Sequence, residues 1–291
     1  MPSSIALIVN PAAGGGRGAR RTDAAVAAFA PLGATLHRTT AAGEEARLAL
    51  AALDAGADTI VVLGGDGTWG RVTGAIVGSG TDARLALLAA GTGNDFVKTL
   101  GAPAHDFGAM ARLVAAGAER RIDAGRAGDV VFLNSVGFAF DAAVIDRMRR
   151  ARNPGSVLTY IAASLGILFG YPGIEARIDD GPWKRHLALV LANGRHFGGS
   201  FVIAPGAELA DGTLEAVTID APLGTLARAA TFAACTRGAH VGRPQVSAWP
   251  VARTTLAFRA PPLFEADGEL YEPVTSEIVV ECLPGALRIV A

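Results

Sequence analysis

The chain has 291 residues, 51% of them apolar and 18% charged, enough to bury one large core or two smaller ones and too apolar for a disordered chain. A net charge of −1 argues against nucleic acid as the main partner. The longest apolar stretch, residues 157–169, is too short for a bilayer span of ~20 residues.

Met1-Pro2-Ser3-Ser4 leads into a strand pattern with no leader signature, so a cytoplasmic protein is expected. Cys235 and Cys282 lie far apart and read as two reduced, buried thiols.

Residues 5–9 form an apolar strand pattern, followed by the glycine-rich turn Asn10 to Gly18 and a helix over residues 20–29. Residues 34–38 predict a second strand, and residues 44–55 a helix with apolar spacing of three and four. Residues 59–63 and 85–88 predict two more strands, and residues 106–116 another helix. This alternation predicts an α/β fold with a parallel sheet covered on both faces.

After about Arg126 the texture changes. Residues 130–135, 175–179, 186–192, 201–204, 214–219, 254–259 and 277–282 read as short strands. Asp180-Gly181-Pro182, Asn193-Gly194 and Asp211-Gly212 punctuate them as turns. Helical patterns at residues 142–150, 157–169 and 223–236 interrupt an antiparallel, β-rich half. The expected division is 1–126 for an α/β domain, with 285–291 returning to it, and 127–284 for a β-rich domain.

The most informative stretch is Gly64-Gly65-Asp66-Gly67-Thr68, between a strand and a helix. Glycines there let the backbone approach a ligand, and the helix N-terminus offers N–H groups to an anion. Asp66 would repel a phosphate unless a metal or proton intervenes. Gly14 to Ala19 superficially fits a dinucleotide fingerprint. However, the second strand ends His37-Arg38-Thr39-Thr40, without the acid that fingerprint expects. A plain flexible turn is the simpler alternative, and a Walker A loop is excluded because neither lysine, Lys98 or Lys184, follows a glycine. Ala90-Gly91-Thr92-Gly93-Asn94-Asp95-Phe96 is a second glycine loop, in which Asn94 and Asp95 could also simply cap a helix. In Phe264-Glu265-Ala266-Asp267-Gly268-Glu269, Asp-Gly makes a good hairpin turn, while two flanking acids could hold Mg²⁺ or take a proton.

Taken in order, Asn-Pro with glycines, Gly-Gly-Asp-Gly-Thr, Gly-Thr-Gly-Asn-Asp-Phe and Asp-Gly-Glu resemble the bacterial diacylglycerol kinase and lipid kinase family. That family is related to sphingosine kinases and, more distantly, to NAD kinases. The likeness spans nearly the whole chain. Leu63 and Val97-Lys98 depart from commoner choices without removing a chemical group.

The resemblance implies an NAD-kinase-like α/β domain, a β-sandwich domain and ATP between them. It implies a nucleotide site lined by Asn10, Pro11, Gly14, Thr39, Gly64, Gly65, Asp66, Gly67, Thr68, Arg71, Thr92 and Asn94. Thr40 is the alternative to Thr39. Glu269 would accept the proton of a lipid hydroxyl, and Asp267 and Asp66 would stand near Mg²⁺ and the phosphates. A structural Mg²⁺ would sit at Glu208, Asp211 and Thr213, where the alternative is a turn with no ion.

Arg147, Arg149, Arg150 and Arg152 beside the apolar 157–169 stretch suit a lipid substrate at an anionic membrane surface, with no transmembrane segment. The plainer alternative is a buried helix with a solvated basic end. A homodimer is compatible with the sequence. The competing functions are a NAD-kinase-like enzyme with a soluble substrate and a catalytically silent nucleotide- or membrane-binding module.

Overall fold

A computed structural model describes residues 4–149, 164, 166–168, 170–199 and 201–291. In it β1 (Ile5–Val9), β2 (Thr35–Arg38), β3 (Thr59–Gly64) and β4 (Arg84–Ala89) pair in parallel in the order β2-β1-β3-β4. The central strands carry apolar residues on both faces because both faces are covered. Ala6, Ile8, Ile60, Val62, Leu85 and Leu87 pack with residues of α2 (Glu44–Asp54) and α3 (Asp66–Ser79). Ile5, Leu7, Val9, Val61, Leu63, Ala86 and Leu88 pack with residues of α1 (Ala13–Phe29) and α5 (Phe107–Ala116). The short α4 (Asp95–Leu100) follows β4.

The other half is antiparallel, as expected. β7 (Ser135–Ala139) leads into α6 (Phe140–Arg149), and β8 (Ile174–Ile178) and β9 (Lys184–Ala192) follow. β9 pairs with β7, β8 and β12 (Leu214–Asp220). β10 (His196–Phe197) and β11 (Phe201–Val202) form a separate small ribbon. After α7 (Thr225–Cys235) come β13 (Val246–Val251), β14 (Arg253–Phe258) and the hairpin β15 (Phe264–Ala266)–β16 (Glu269–Tyr271).

Two differences from the sequence expectations matter. Residues 120–127 form β5 (Arg120–Ala127), which runs against β17 (Glu277–Ile289) and β6 (Val130–Phe132). The last strand does not stop at Cys282. It continues through Pro284 and Gly285, and a register shift between Leu283 and Leu287 absorbs them. Its first part pairs with β14, and its end pairs in parallel with β4. One strand thus belongs to both halves.

The glycine turn after β1 also differs from expectation. Helical winding starts at Ala13 and not Arg20, but Gly14, Gly15 and Gly16 all take positive φ inside that first turn. Most of the 157–169 stretch, with Arg150 and Arg152, lies outside the described residues. Among the described residues no helix is long and apolar enough to cross a membrane. Cys235 and Cys282 are buried and free.

Candidate active site

The carboxyl ends of β1, β3 and β4 bring three glycine loops to one edge of the parallel sheet, where open α/β sheets bind ligands. These loops meet closely. A Cβ on Gly65 would lie 2.7 Å from Gly91 Cα, and one on Gly14 would lie 2.1 Å from the Ala90 carbonyl oxygen. Only glycines allow this approach, and Gly14 also needs its φ of +60°. Gly65 caps α3 without a side-chain bond, so the first α3 amides lack intrahelical partners.

A cavity of about 390 Å³ opens over these loops. Asn10, Gly14, Gly65, Asp66, Gly67, Thr68, Arg71 and Thr92 line it from the sheet side. Asp267 and Glu269 line it from the β15–β16 hairpin. The hairpin approaches α3 so tightly that a Cβ on Gly70 would sit 2.3 Å from Asp267 Oδ2, and one on Gly67 would sit 2.9 Å from Glu269 Oε1. Asp267 and Gly268 both take positive φ, at 50° and 83°, as a two-residue turn between paired Ala266 and Glu269 requires. The hairpin-turn reading and the site reading of Asp267-Gly268-Glu269 are therefore compatible.

Asn10, which lines the cavity, and the sequence-predicted residues behind the lining also brace the loops. Asn10 donates to Glu45 Oε1 at 2.8 Å and to Thr68 Oγ1 at 2.9 Å, and its own Oδ1 accepts from the Ala12 amide at 3.0 Å. Pro11 begins that turn. A Cβ on Gly64 would strike Thr68 at 2.5 Å. Asn94, at φ 48°, donates to the Gly91 carbonyl at 3.0 Å and shapes the second loop. Thr39 is buried, and its amide donates to the Val9 carbonyl at 3.0 Å. Pro11, Thr39, Gly64 and Asn94 do not line the cavity.

Asp267 and Glu269 have different surroundings. Asp267 is buried and accepts from the amides of Leu133, Asn134 and Ser135 at 2.7, 2.8 and 3.2 Å. Burial still raises its pKa to about 6, against the pull of those amides. Glu269 sits at the rim in an ion pair with Arg71 at 2.9 Å, and Arg71 also faces Glu45 at 3.6 Å. Asp66 accepts from the Phe96 amide at 3.2 Å. Burial, then the charges of Asp95 and Asp267, push it up to about 7.

Sequence reasoning missed four residues of this edge. Arg17 donates to Thr92 Oγ1 at 2.8 Å and ties the first glycine loop to the second. Glu45, fully buried, organises Asn10 and Arg71. Asp95 pairs with Lys98 at 2.6 Å and accepts from the Gly199 amide at 2.8 Å, holding the β10–β11 ribbon beside the cavity. Arg17 lay in plain view inside Gly14–Gly18; Glu45 and Lys98 carried no local signal.

Asp66, Asp95, Asp267 and Glu269 make the cavity acidic, yet among the described residues no three acids, histidines or cysteines converge as a metal cage. Mg²⁺ commonly takes one or two carboxylates and fills its remaining positions with phosphate and water. This donor set fits a cation that arrives on a nucleotide. Glu208 is exposed, and the Asp211 carboxylate accepts from the Thr213 amide at 2.9 Å and hydroxyl at 3.0 Å. That turn is away from the cavity lining.

A parallel sheet presents glycine loops to an acidic hairpin from an antiparallel half, and the chain belongs to the diacylglycerol kinase and lipid kinase family. Residues 4–127 match the diacylglycerol kinase catalytic domain, and residues 134–291 match the YegS C-terminal NAD kinase beta sandwich-like domain. The chain is 30% identical to a diacylglycerol kinase of Mycobacterium tuberculosis over 98% of its own length and 94% of that protein. It is 37% identical to a YegS-like lipid kinase of Pseudomonas putida over 63% of each chain. Two crystal structures from Bacillus anthracis, described as diacylglycerol kinases, superpose with TM-scores of 0.76 and 0.70 at 20% and 19% identity. Each covers 99% of this chain and 96% of that one, a likeness of fold.

Proposed function

We propose that the chain is an ATP-dependent lipid kinase that transfers the γ-phosphoryl group to a diacylglycerol-like hydroxyl. The observation that carries this reading is one cavity with glycine loops on one wall and the Asp267–Glu269 hairpin on the other. In phosphoryl transfer the protein mostly positions groups and offsets charge. Backbone amides of the glycine loops and of the α3 N-terminus bind phosphate oxygens without a P-loop lysine. Arg17 and Thr92 hold two of these loops in register.

Mg²⁺ brought with the nucleotide would supply charge neutralisation, and Asp66, which lines the cavity, would help to hold it. A second Mg²⁺ at Asp211, with backbone oxygens of Glu208 and Thr213, would have a structural role. Glu269 takes the hydroxyl proton as the new oxygen–phosphorus bond forms. Asp267 is a positioning residue, because three amides occupy its carboxylate. The segments 1–126 with 285–291 and 127–284 each contribute one wall.

The test is transfer of labelled γ-phosphate to a panel of diacylglycerol, phosphatidylglycerol, a sphingoid base and NAD. The expected result is lipid labelling by the native chain. Glu269→Gln should lower it by about 10²–10⁴-fold while ATP affinity stays within a few-fold. Near-normal turnover in Glu269→Gln would sink the base assignment. Labelling of NAD alone would move the chain to the soluble-substrate reading, and labelling of nothing to the silent-module reading.

A further inference from the structure

Glu265 has no part in the chemistry described so far. It lies on β15 opposite Gly137 of β7, is 0% exposed and lines the cavity on the hairpin side. Its Oε2 accepts from the Gly268 amide at 2.9 Å. Its Oε1 has no hydrogen-bond partner among the described residues. Asp141, in the first turn of α6, is 7% exposed and its Oδ2 likewise has no partner. A Cβ on Gly137 would lie 3.0 Å from both of these oxygens. The glycine therefore leaves open a small space that two unsatisfied carboxyl oxygens face. Buried polar atoms in folded proteins are almost always paired, so two such atoms facing one gap point to a missing partner.

We propose that Glu265 is a specificity-determining residue of the acceptor side of the cavity, where its carboxyl hydrogen-bonds an uncharged oxygen beside the hydroxyl that is phosphorylated. The inference rests on the lipid-kinase reading and deepens it. The groups that face Glu265 are Asp141 on α6, Asp267 on its own hairpin and Asp66 on α3. All are acidic. Burial, then those neighbours, raises Glu265 well above the usual carboxylate range, and burial raises Asp141 to about 7. A buried carboxyl with an unpartnered oxygen and only acids around it suits a neutral partner, an ester carbonyl or a second hydroxyl, better than an anion. Beyond Asp141 the neighbouring Phe140 lines a second, apolar cavity of about 50 Å³ with Tyr171, Leu187, Ile219 and Phe232.

The experiment compares the native full-length chain with Glu265→Leu and Glu265→Gln. It measures calorimetric binding of dioctanoylglycerol and of a single-chain amino alcohol, and KM for dioctanoylglycerol and ATP. Expected is a loss of glyceride affinity in Glu265→Leu of about 10-fold, with a matching rise in its KM and no change for ATP. Glu265→Gln is uncharged and still donates, so it should stay within about 3-fold of the native chain.

Unchanged glyceride affinity in Glu265→Leu, a Gln variant as impaired as the Leu variant, or tighter native binding of the amino alcohol overturns the proposal. So does a native chain that binds no glyceride. If Glu265→Leu does not fold, the Gln variant and the two native affinities still decide. Native binding without phosphorylation would instead break the kinase reading, while the Glu265 comparison still stands on affinity.

Discussion

The two walls of the cavity are built by opposite means. The sheet-side wall works by leaving side chains out: Gly14, Gly65 and Gly91 let three loops touch backbone to backbone. The hairpin-side wall works by crowding side chains in, with Glu265, Asp267 and nearby Asp141 buried as acids. The glycines of the first wall present fixed amides, whose partial charges do not depend on pH, although Asp66 beside them is pushed up to about 7 by burial. The second depends on protonation states that burial has displaced. A substitution on the first wall should therefore act through shape, and one on the second through charge and hydration.

The largest expected effect is on the sheet side. Gly65→Val forces a branched side chain against Gly91, where even Cβ would come within 2.7 Å. Activity should fall by about 10²-fold or more, with overpacking costing roughly 1–3 kcal/mol. Native-like turnover in that variant would show that the loops need not touch.

Asp267→Ala comes next. It leaves the amides of Leu133, Asn134 and Ser135 without their acceptor. A loss of about 3 kcal/mol in urea unfolding is expected, since amides bonded to a charged group each matter. A loss well below 1 kcal/mol would mean that water replaces the carboxylate, contrary to the crowded picture of this wall.

The smallest effect is also the most specific. Asp141 is raised from 3.8 to about 7 by burial. The folded state therefore binds this proton more tightly than the unfolded chain. That contribution to stability is complete below about pH 4 and is lost as pH rises through about 7. Asp141→Asn cannot ionise. Its stability relative to the native chain should improve from about pH 4 to pH 8, by on the order of 1–3 kcal/mol. A difference that stays flat with pH would show that Asp141 keeps its ordinary titration in the folded chain.

The sheet-side wall was largely legible in the sequence. Its glycines follow apolar strands directly, so position along the chain and position in space coincide. Residues 120–127 were not legible as a strand, because Arg120, Arg121, Asp123 and Arg126 break the apolar pattern. Asp123 is buried only because the amides of Gly212 and Gly285 reach it from distant segments, at 2.8 and 2.7 Å. Glu45 reads as an ordinary acid in a first helical turn. Its burial appears only when β1 brings Asn10 and α3 brings Arg71 against it. Pro284-Gly285 reads as the end of a strand, and only the long partner β5 carries the strand past it. What stayed hidden depended in each case on a partner far away in the chain.

β17 has a mechanical consequence. At ~3.3 Å per residue, a strand from Glu277 to Ile289 is about 40 Å long. It is stitched to β14 at one end and β4 at the other. Widening the cavity would load the β5–β17 ribbon as well as the Asp95–Gly199 contact. Such a ribbon bends and twists more easily than its ladder of hydrogen bonds can be pulled apart. The two walls are therefore joined as by a torsion bar rather than by a single loop.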